Sequence, residues 1–161
     1  MTGAASPGLP PRPAAPDGPA PAAPSGAPAP VVLDTNIVLD VFVFADADAR
    51  PVRAALEAGA LDWIATAPMR DELARVLAYP QIAPRLAFYA LGAGDVLDAF
   101  DRHARLTPVA GKARLTCKDP DDQKFIDLAV AGRALLLSKD RHVLSMAKRL
   151  LAHGVHARAA M

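Results

Sequence analysis

Two short apolar runs each lead to an aspartate, and this pattern restricts the fold more than any other feature of the chain. Val31, Val32 and Leu33 run directly into Asp34; Ala134, Leu135, Leu136 and Leu137 reach Asp140 after only Ser138 and Lys139. Consecutive apolar residues bounded in this way read as strands buried on both faces, as in a parallel sheet covered by helices. Open α/β sheets bind their ligands beyond the carboxyl ends of the strands. Asp34 and Asp140 are therefore expected at the edge where such a fold does its chemistry.

Around these runs, short apolar stretches alternate with longer helical patterns, which favours βαβ units over an all-helical or all-β chain. Strands are expected at 31–34, Leu61–Ala65, 134–138 and, weakly, 155–158. Helices are expected at 36–44, at 51–58 with Gly59 as its left-handed stop, and from Thr66 as cap, with Pro68 in the first turn, to about 79. Two further helices, at 84–91 and 95–106, fill the middle. A basic connection through Lys112, Arg114 and Lys118 leads to a helix at 120–131 with Gly132 as its stop, and a last helix spans 142–152 before Gly154.

The first thirty residues hold ten prolines, nine alanines and four glycines, with Met1 and Leu9 as the large apolar side chains. Such a segment cannot bury enough surface to offset its ordering entropy, so residues 1–30 are expected to be a disordered tail, without the basic start and apolar core of a signal peptide. A leader or a proline-rich ligand for a partner would both fit this composition. Residues 31–161 then form one domain. No apolar run approaches the roughly twenty residues that span a bilayer. The single cysteine, Cys117, rules out a disulfide within the chain, so a reducing, cytoplasmic setting fits. The formal charge of +1 neither requires nor excludes nucleic acid.

Helical geometry separates the remaining acids. Met69, Leu73, Val76 and Leu77 form an apolar stripe, with Glu72 at its margin and Asp71 on the far side. In the later helix Asp122 is in line with Phe125, Ile126, Ala129 and Val130, whereas Asp127 projects to the opposite face and is expected in solvent. Asp34, Glu72, Asp122 and Asp140 can thus converge. Each aspartate alone is equally explained as a helix cap, and Glu72 as a residue at the core boundary. Convergence of all four is harder to obtain from capping preferences. Carboxylates about 5 Å apart repel by roughly 3 kcal/mol at an effective dielectric near 20, which a hard divalent cation relieves. All-oxygen ligands suit Mg²⁺ or Mn²⁺ rather than zinc. Asp34 and Asp122 are expected as principal ligands, with Glu72 and Asp140 completing the shell, and the chemistry indicated is phosphodiester hydrolysis.

Lys112, Arg114, Lys118, Lys124, Lys139 and Arg141 lie near these acids in sequence and are candidates for phosphate contacts, with a solvated charged surface as the alternative for each. Phe88 and Tyr89 could stack on bases, although core or partner surface is the commoner use of such a pair. Gly92, Ala93 and Gly94 follow a helix and lack a third glycine, so they are no dinucleotide fingerprint. The four histidines form no metal-ligand arrangement. Cys117 reads as an inert small side chain, with Lys118 as a neighbour able to lower its pKa.

Taken in order, Val32-Leu33-Asp34-Thr35-Asn36-Ile37, Glu72-Leu73-Ala74-Arg75-Val76-Leu77, Asp119-Pro120-Asp121-Asp122-Gln123-Lys124-Phe125 and Leu137-Ser138-Lys139-Asp140 resemble the PIN-domain ribonucleases, most closely the branch of toxin components from toxin-antitoxin pairs. The resemblance implies a three-layer α/β/α sandwich with a central, mainly parallel sheet, dependence on Mg²⁺ or Mn²⁺, and hydrolysis of RNA. It places the family's four acids on Asp34, Glu72, Asp122 and Asp140, and its orienting polar residues on Thr35, Asn36 and Ser138. It also implies a cognate antitoxin and a homodimer as partners. One departure is His142, where this branch often carries a further aspartate. Two rivals stand beside this reading. An aspartate-nucleophile phosphatase would use Asp34 but want a second acid where Asn36 stands. A non-catalytic RNA- or protein-binding domain would keep the fold without needing the four acids.

Overall fold

The computed structural model describes residues 27–161, and the expectation of a disordered tail falls, for residues 1–26, outside the described residues. Five strands form one sheet in the order β3-β2-β1-β4-β5, every pair parallel: β1 (Ala29–Leu33), β2 (Leu61–Ala65), β3 (Ala104–Leu106), β4 (Leu135–Leu137) and β5 (Ala157–Arg158). Strand β1 begins inside the segment expected to be tail, since Ala29 and Pro30 pair with Leu61 and Asp62. Proline is tolerated there because a strand's first residues can spare a ladder donor.

Helices cover both faces, giving the expected three layers. α1 (Thr35–Phe42), α2 (Arg50–Glu57), α3 (Ala67–Leu77), α4 (Ala83–Phe88) and α5 (Ala93–His103) follow β1 and β2; α6 (Gln123–Gly132), α7 (Arg141–Leu144) and α8 (Ala147–Leu151) belong to the other half of the chain. Adjacent residues on β2 show the two sides. The Trp63 ring packs on Phe42 of α1 and Phe100 of α5, while the neighbouring Ile64 meets α6 at Gly132. Successive strand side chains point to opposite faces, so α1 and α5 lie on one side and α6 on the other. Right-handed crossovers require this once the chain returns from β3 to β4. Val31, Val32, Leu136 and Leu137 at the centre of the sheet are fully buried, as their uninterrupted apolar runs require.

Several boundaries differ from those read in the sequence. The helix expected at 95–106 stops at His103, and Ala104–Leu106 forms the edge strand β3, tied to β2 also by the Arg105–Asp62 ion pair. Gly132 is not the stop of α6 but its last helical residue. A Cβ there would lie 2.9 Å from Ile64 Cδ1, and the left-handed position falls on Arg133 at φ 48°. Gly59 takes the left-handed conformation expected of it, and Gly154 after the last helix takes one too. Thr66 precedes α3 but makes no side-chain cap. The single last helix is two, α7 and α8, broken where Ser145 Oγ donates to the His142 carbonyl.

The connection from β3 to α6 is fastened by polar side chains. Asp127 Oδ1 accepts from the Ala113 N–H (2.9 Å) and from Gln123 Nε2 (2.8 Å), and Gln123 also bonds the Cys117 N–H and the Leu115 carbonyl. Lys112 Nζ turns into its own loop, donating to the Ala113 and Leu115 carbonyls and to Thr116 Oγ1. Asp127 is therefore half-buried and bonded rather than free in solvent as expected, and Lys112 is engaged with its own loop and does not line the acidic cleft described below.

Candidate functional site

Parallel pairing of β1 and β4 builds the centre of the site. Leu33 is in register with Leu137, so the next residues, Asp34 and Ser138, emerge side by side; the Asp34 N–H bonds the Leu137 carbonyl at 3.0 Å. Successive connections leave toward opposite ends of the sheet from these two strands, which makes their shared carboxyl end the topological switch point. Ser138, fully buried, donates its hydroxyl to Asp34 Oδ2 at 2.6 Å and accepts from the Asp140 N–H at 3.0 Å. One hydroxyl thus fixes both strand-end acids.

The other elements bring their acids to the same edge. A cleft of about 380 Å³ is lined by Asp34, Thr35, Asn36, Glu72, Arg75, Val76, Tyr79, Asp121, Asp122, Lys124 and Asp140. Glu72, from α3, is held by the Thr35 hydroxyl and by an ion pair with Lys124. Asp122 closes a 3-10 turn, Pro120–Asp122, ahead of α6. All four sequence-predicted acids therefore share one cleft, together with Thr35 and Asn36.

Their hydrogen bonds decide between capping and convergence. Asp140 does cap, accepting from the His142 N–H at 2.7 Å. The Asp34 carboxylate takes its hydrogen bond from Ser138, with the Asn36 N–H only close by, and Asp122 makes no capping hydrogen bond, although it precedes a helix. Instead, Asp122 Oδ2 is buried with no hydrogen-bond partner among the described residues. An unpaired buried oxygen of a carboxylate costs free energy that a ligand can recover.

Electrostatics add to this strain. Burial, then repulsion from Asp34, Asp140 and Asp119, and contact with the Asp140 carboxylate push the Asp122 pKa up to about 7 from 3.8. Burial also raises that of Asp34; the Ser138 hydroxyl and the Asn36 backbone N–H pull it back, and Glu72 and Asp140 add repulsion. The tightest group is Asp119, Asp122 and Asp140, which offer carboxylate oxygens all within 4.8 Å of one another. Asp119 lies upstream of Pro120 and outside the helical stripe, so periodicity gives no reason to single it out. Its side chain accepts from the Asp121 N–H and so stays beside the cluster. An all-carboxylate donor set with one orphaned oxygen fits Mg²⁺ or Mn²⁺.

The basic candidates divide. Lys124 lines the cleft but is paired with Glu72, and it also bonds the Asp121 carbonyl. Lys139 turns away to pair with Asp40, whereas Lys118 and Arg141 are exposed and do not line the cleft. Phe88 and Tyr89 are surface rather than core, 82% and 41% exposed, packed edge to face and outside the cleft lining. Cys117 is buried, and burial pushes its thiol above the ordinary value, against the lowering that Lys118 suggested.

Comparison with known proteins agrees with this geometry. A family model described as PIN domain matches residues 30–142, a span that includes Asp34, Glu72, Asp122 and Asp140. The chain belongs to the PIN-domain family. PIN domains have a nuclease fold and are generally metal-dependent nucleases, and the acidic cluster is compatible with that use. A search of curated proteins gives no significant match. Among the described residues, no helix is long and apolar enough to cross a membrane.

Proposed function

We propose that the protein is a metal-dependent ribonuclease whose active site is the acidic cleft, acting as the toxin component of a toxin-antitoxin pair in the cytoplasm. The observation that carries the nuclease reading is the orphaned Asp122 Oδ2, buried among Asp34, Asp119 and Asp140. Asp34, Glu72, Asp122 and Asp140 would hold Mg²⁺ or Mn²⁺, with Asp119 within reach of the last two. Such an ion, when bound, makes a water nucleophilic at neutral pH and offsets charge on the scissile phosphate.

The chain's own residues prepare that site. Ser138 keeps the Asp34 carboxylate aimed into the cleft, and Thr35 does the same for Glu72. Lys124 tempers the charge of Glu72 and leaves donor capacity for a phosphate oxygen at the cleft. Asn36, exposed in the lining, presents an amide to a bound nucleotide. Membership of the PIN family supports RNA as substrate; an antitoxin and a second copy of the chain as partners follow from the resemblance to the toxin branch alone.

The test is cleavage of defined RNAs with Mg²⁺, Mn²⁺ or chelator, run beside Asp34→Asn and Asp122→Asn. Cleavage is expected with either metal, none with chelator, and at least a 100-fold loss in each variant. Full activity in a correctly folded variant, or RNA binding with no cleavage under any metal condition, would remove the nuclease reading in favour of a binding domain.

A further inference from the structure

We propose that Tyr79 and Arg75 form a nucleotide-holding subsite of the cleft: the base beside the scissile phosphate stacks on Tyr79, and a backbone phosphate rests on Arg75. The proposal rests on the ribonuclease reading of the cleft. Both residues line the same cleft as the acids, Arg75 in the last turn of α3 and Tyr79 two residues past its end.

Tyr79 is suited to receive a ring. It is 43% exposed, and of the three exposed aromatics among the described residues it is the one with no ring partner, since Phe88 and Tyr89 pack on each other. Its backbone is pinned on both sides. The Tyr79 N–H bonds the Val76 carbonyl, and its own carbonyl accepts from Ile82 and Ala83 N–H groups at 2.9 Å. The ring is thus displayed from fixed backbone, so little order has to be gained on binding.

Charge points the same way. The cleft lining holds five carboxylates, Asp34, Glu72, Asp121, Asp122 and Asp140, against two cations, Arg75 and Lys124. Lys124 is already paired with Glu72, whereas Arg75 is exposed and makes no ion pair among the described residues. A polyanion entering this cleft meets Arg75 as its available fixed positive charge. Favourable placement of an arginine in the last turn of a helix explains its presence on α3 but not its position in the lining of the cleft. A base can reach Tyr79 only when it is unstacked, which duplex RNA does not allow.

The experiment uses the full chain with Mn²⁺ and a single-stranded RNA oligomer cut at one mapped position. Because stacking is sequence-tolerant and substantial, Tyr79→Ala should lower kcat/KM by roughly 10-fold or more, mainly through KM, with an unchanged melting temperature. Tyr79→Phe should stay within about twofold of wild type, as expected if the ring's face rather than its hydroxyl does the work. An abasic nucleotide next to the cleavage position, tried on each side in turn, should on one side cost the wild type a similar factor and cost Tyr79→Ala nothing more, the signature of coupled partners. Arg75→Ala should flatten the salt dependence of binding by about one phosphate contact. Wild-type rates in Tyr79→Ala, losses that multiply when variant and abasic substrate are combined, or equal cleavage of duplex RNA would each overturn the subsite while leaving the nuclease reading intact. Absence of any cleavage by the wild type would overturn both.

Discussion

The aspartates that follow strands and the aspartates in the turn before α6 meet at one place but are satisfied differently. Asp34 and Asp140 are organised by Ser138 and by the start of α7, so each has a hydrogen-bond donor inside the fold. Asp122 has a buried oxygen with none, and lies between Asp34, Asp119 and Asp140. The sheet edge is thus finished without a ligand, and the turn is not. Positive charge supplied from outside would be felt first at Asp122, and the strand-end acids would complete its surroundings.

The largest consequence should appear in stability against pH without metal. With its pKa raised from 3.8 to about 7, Asp122 holds a proton in the folded state that the unfolded chain has already released. The folded state then binds more protons between those values, so the contribution is complete below about pH 4 and is lost as pH rises toward 7. A shift of this size corresponds to roughly 4 kcal/mol as an upper figure. In chelator, the melting temperature is expected to fall from pH 4 to 7, and saturating Mg²⁺ or Mn²⁺ to remove that fall. Asp122→Asn should abolish most of the slope along with cleavage. A slope of the same size in that variant, followed by calorimetry, would move the strain to another carboxyl group.

Ser138→Ala probes the finished half of the comparison and should have the next largest effect. It removes the donor to a buried carboxylate and the acceptor for the Asp140 N–H together. Leaving such groups unpaired costs about 1–3 kcal/mol, and the loss should be read as a lower midpoint in urea. Cleavage should fall roughly 10-fold, because Asp34 keeps its charge but not its aim. Unchanged stability would mean that water replaces the hydroxyl at no cost.

The same contrast shows what could be read from the chain in advance. The strand-end acids were legible because an apolar run and the residue after it fix both burial and direction, and β2 could be read to the residue at Leu61–Ala65. Edge strand β3 was not, because Ala104, Arg105 and Leu106 continue the pattern of α5 and become a strand only through pairing with Trp63, Ile64 and Ala65. The break between α7 and α8 carries no glycine or proline to announce it, and buried Met146 sits within it. Asp119 is not legible as a site residue because a helical stripe says nothing about the residue ahead of its first turn. Periodicity placed Asp127 correctly, opposite the core stripe. What it could not supply was the loop from Lys112 to Cys117 folding back over that face.

That loop supports the smallest of the expected effects. Asp127 differs from Asp122 in having its donors built in, the Ala113 N–H and Gln123 Nε2, both on Oδ1. Asn at this position retains an oxygen able to accept both bonds, so Asp127→Asn should change stability by no more than about 0.5 kcal/mol. Asp127→Ala loses both and should cost about 1–2 kcal/mol in urea unfolding. Because the fastened loop leads within a few residues to Asp119, cleavage in the alanine variant should fall only a few-fold, through looser placement of an acid at the margin of the cluster. Equal damage from Asn and Ala would show that the charge of Asp127 matters rather than its hydrogen bonds, and would place it with the strained acids instead of the satisfied ones.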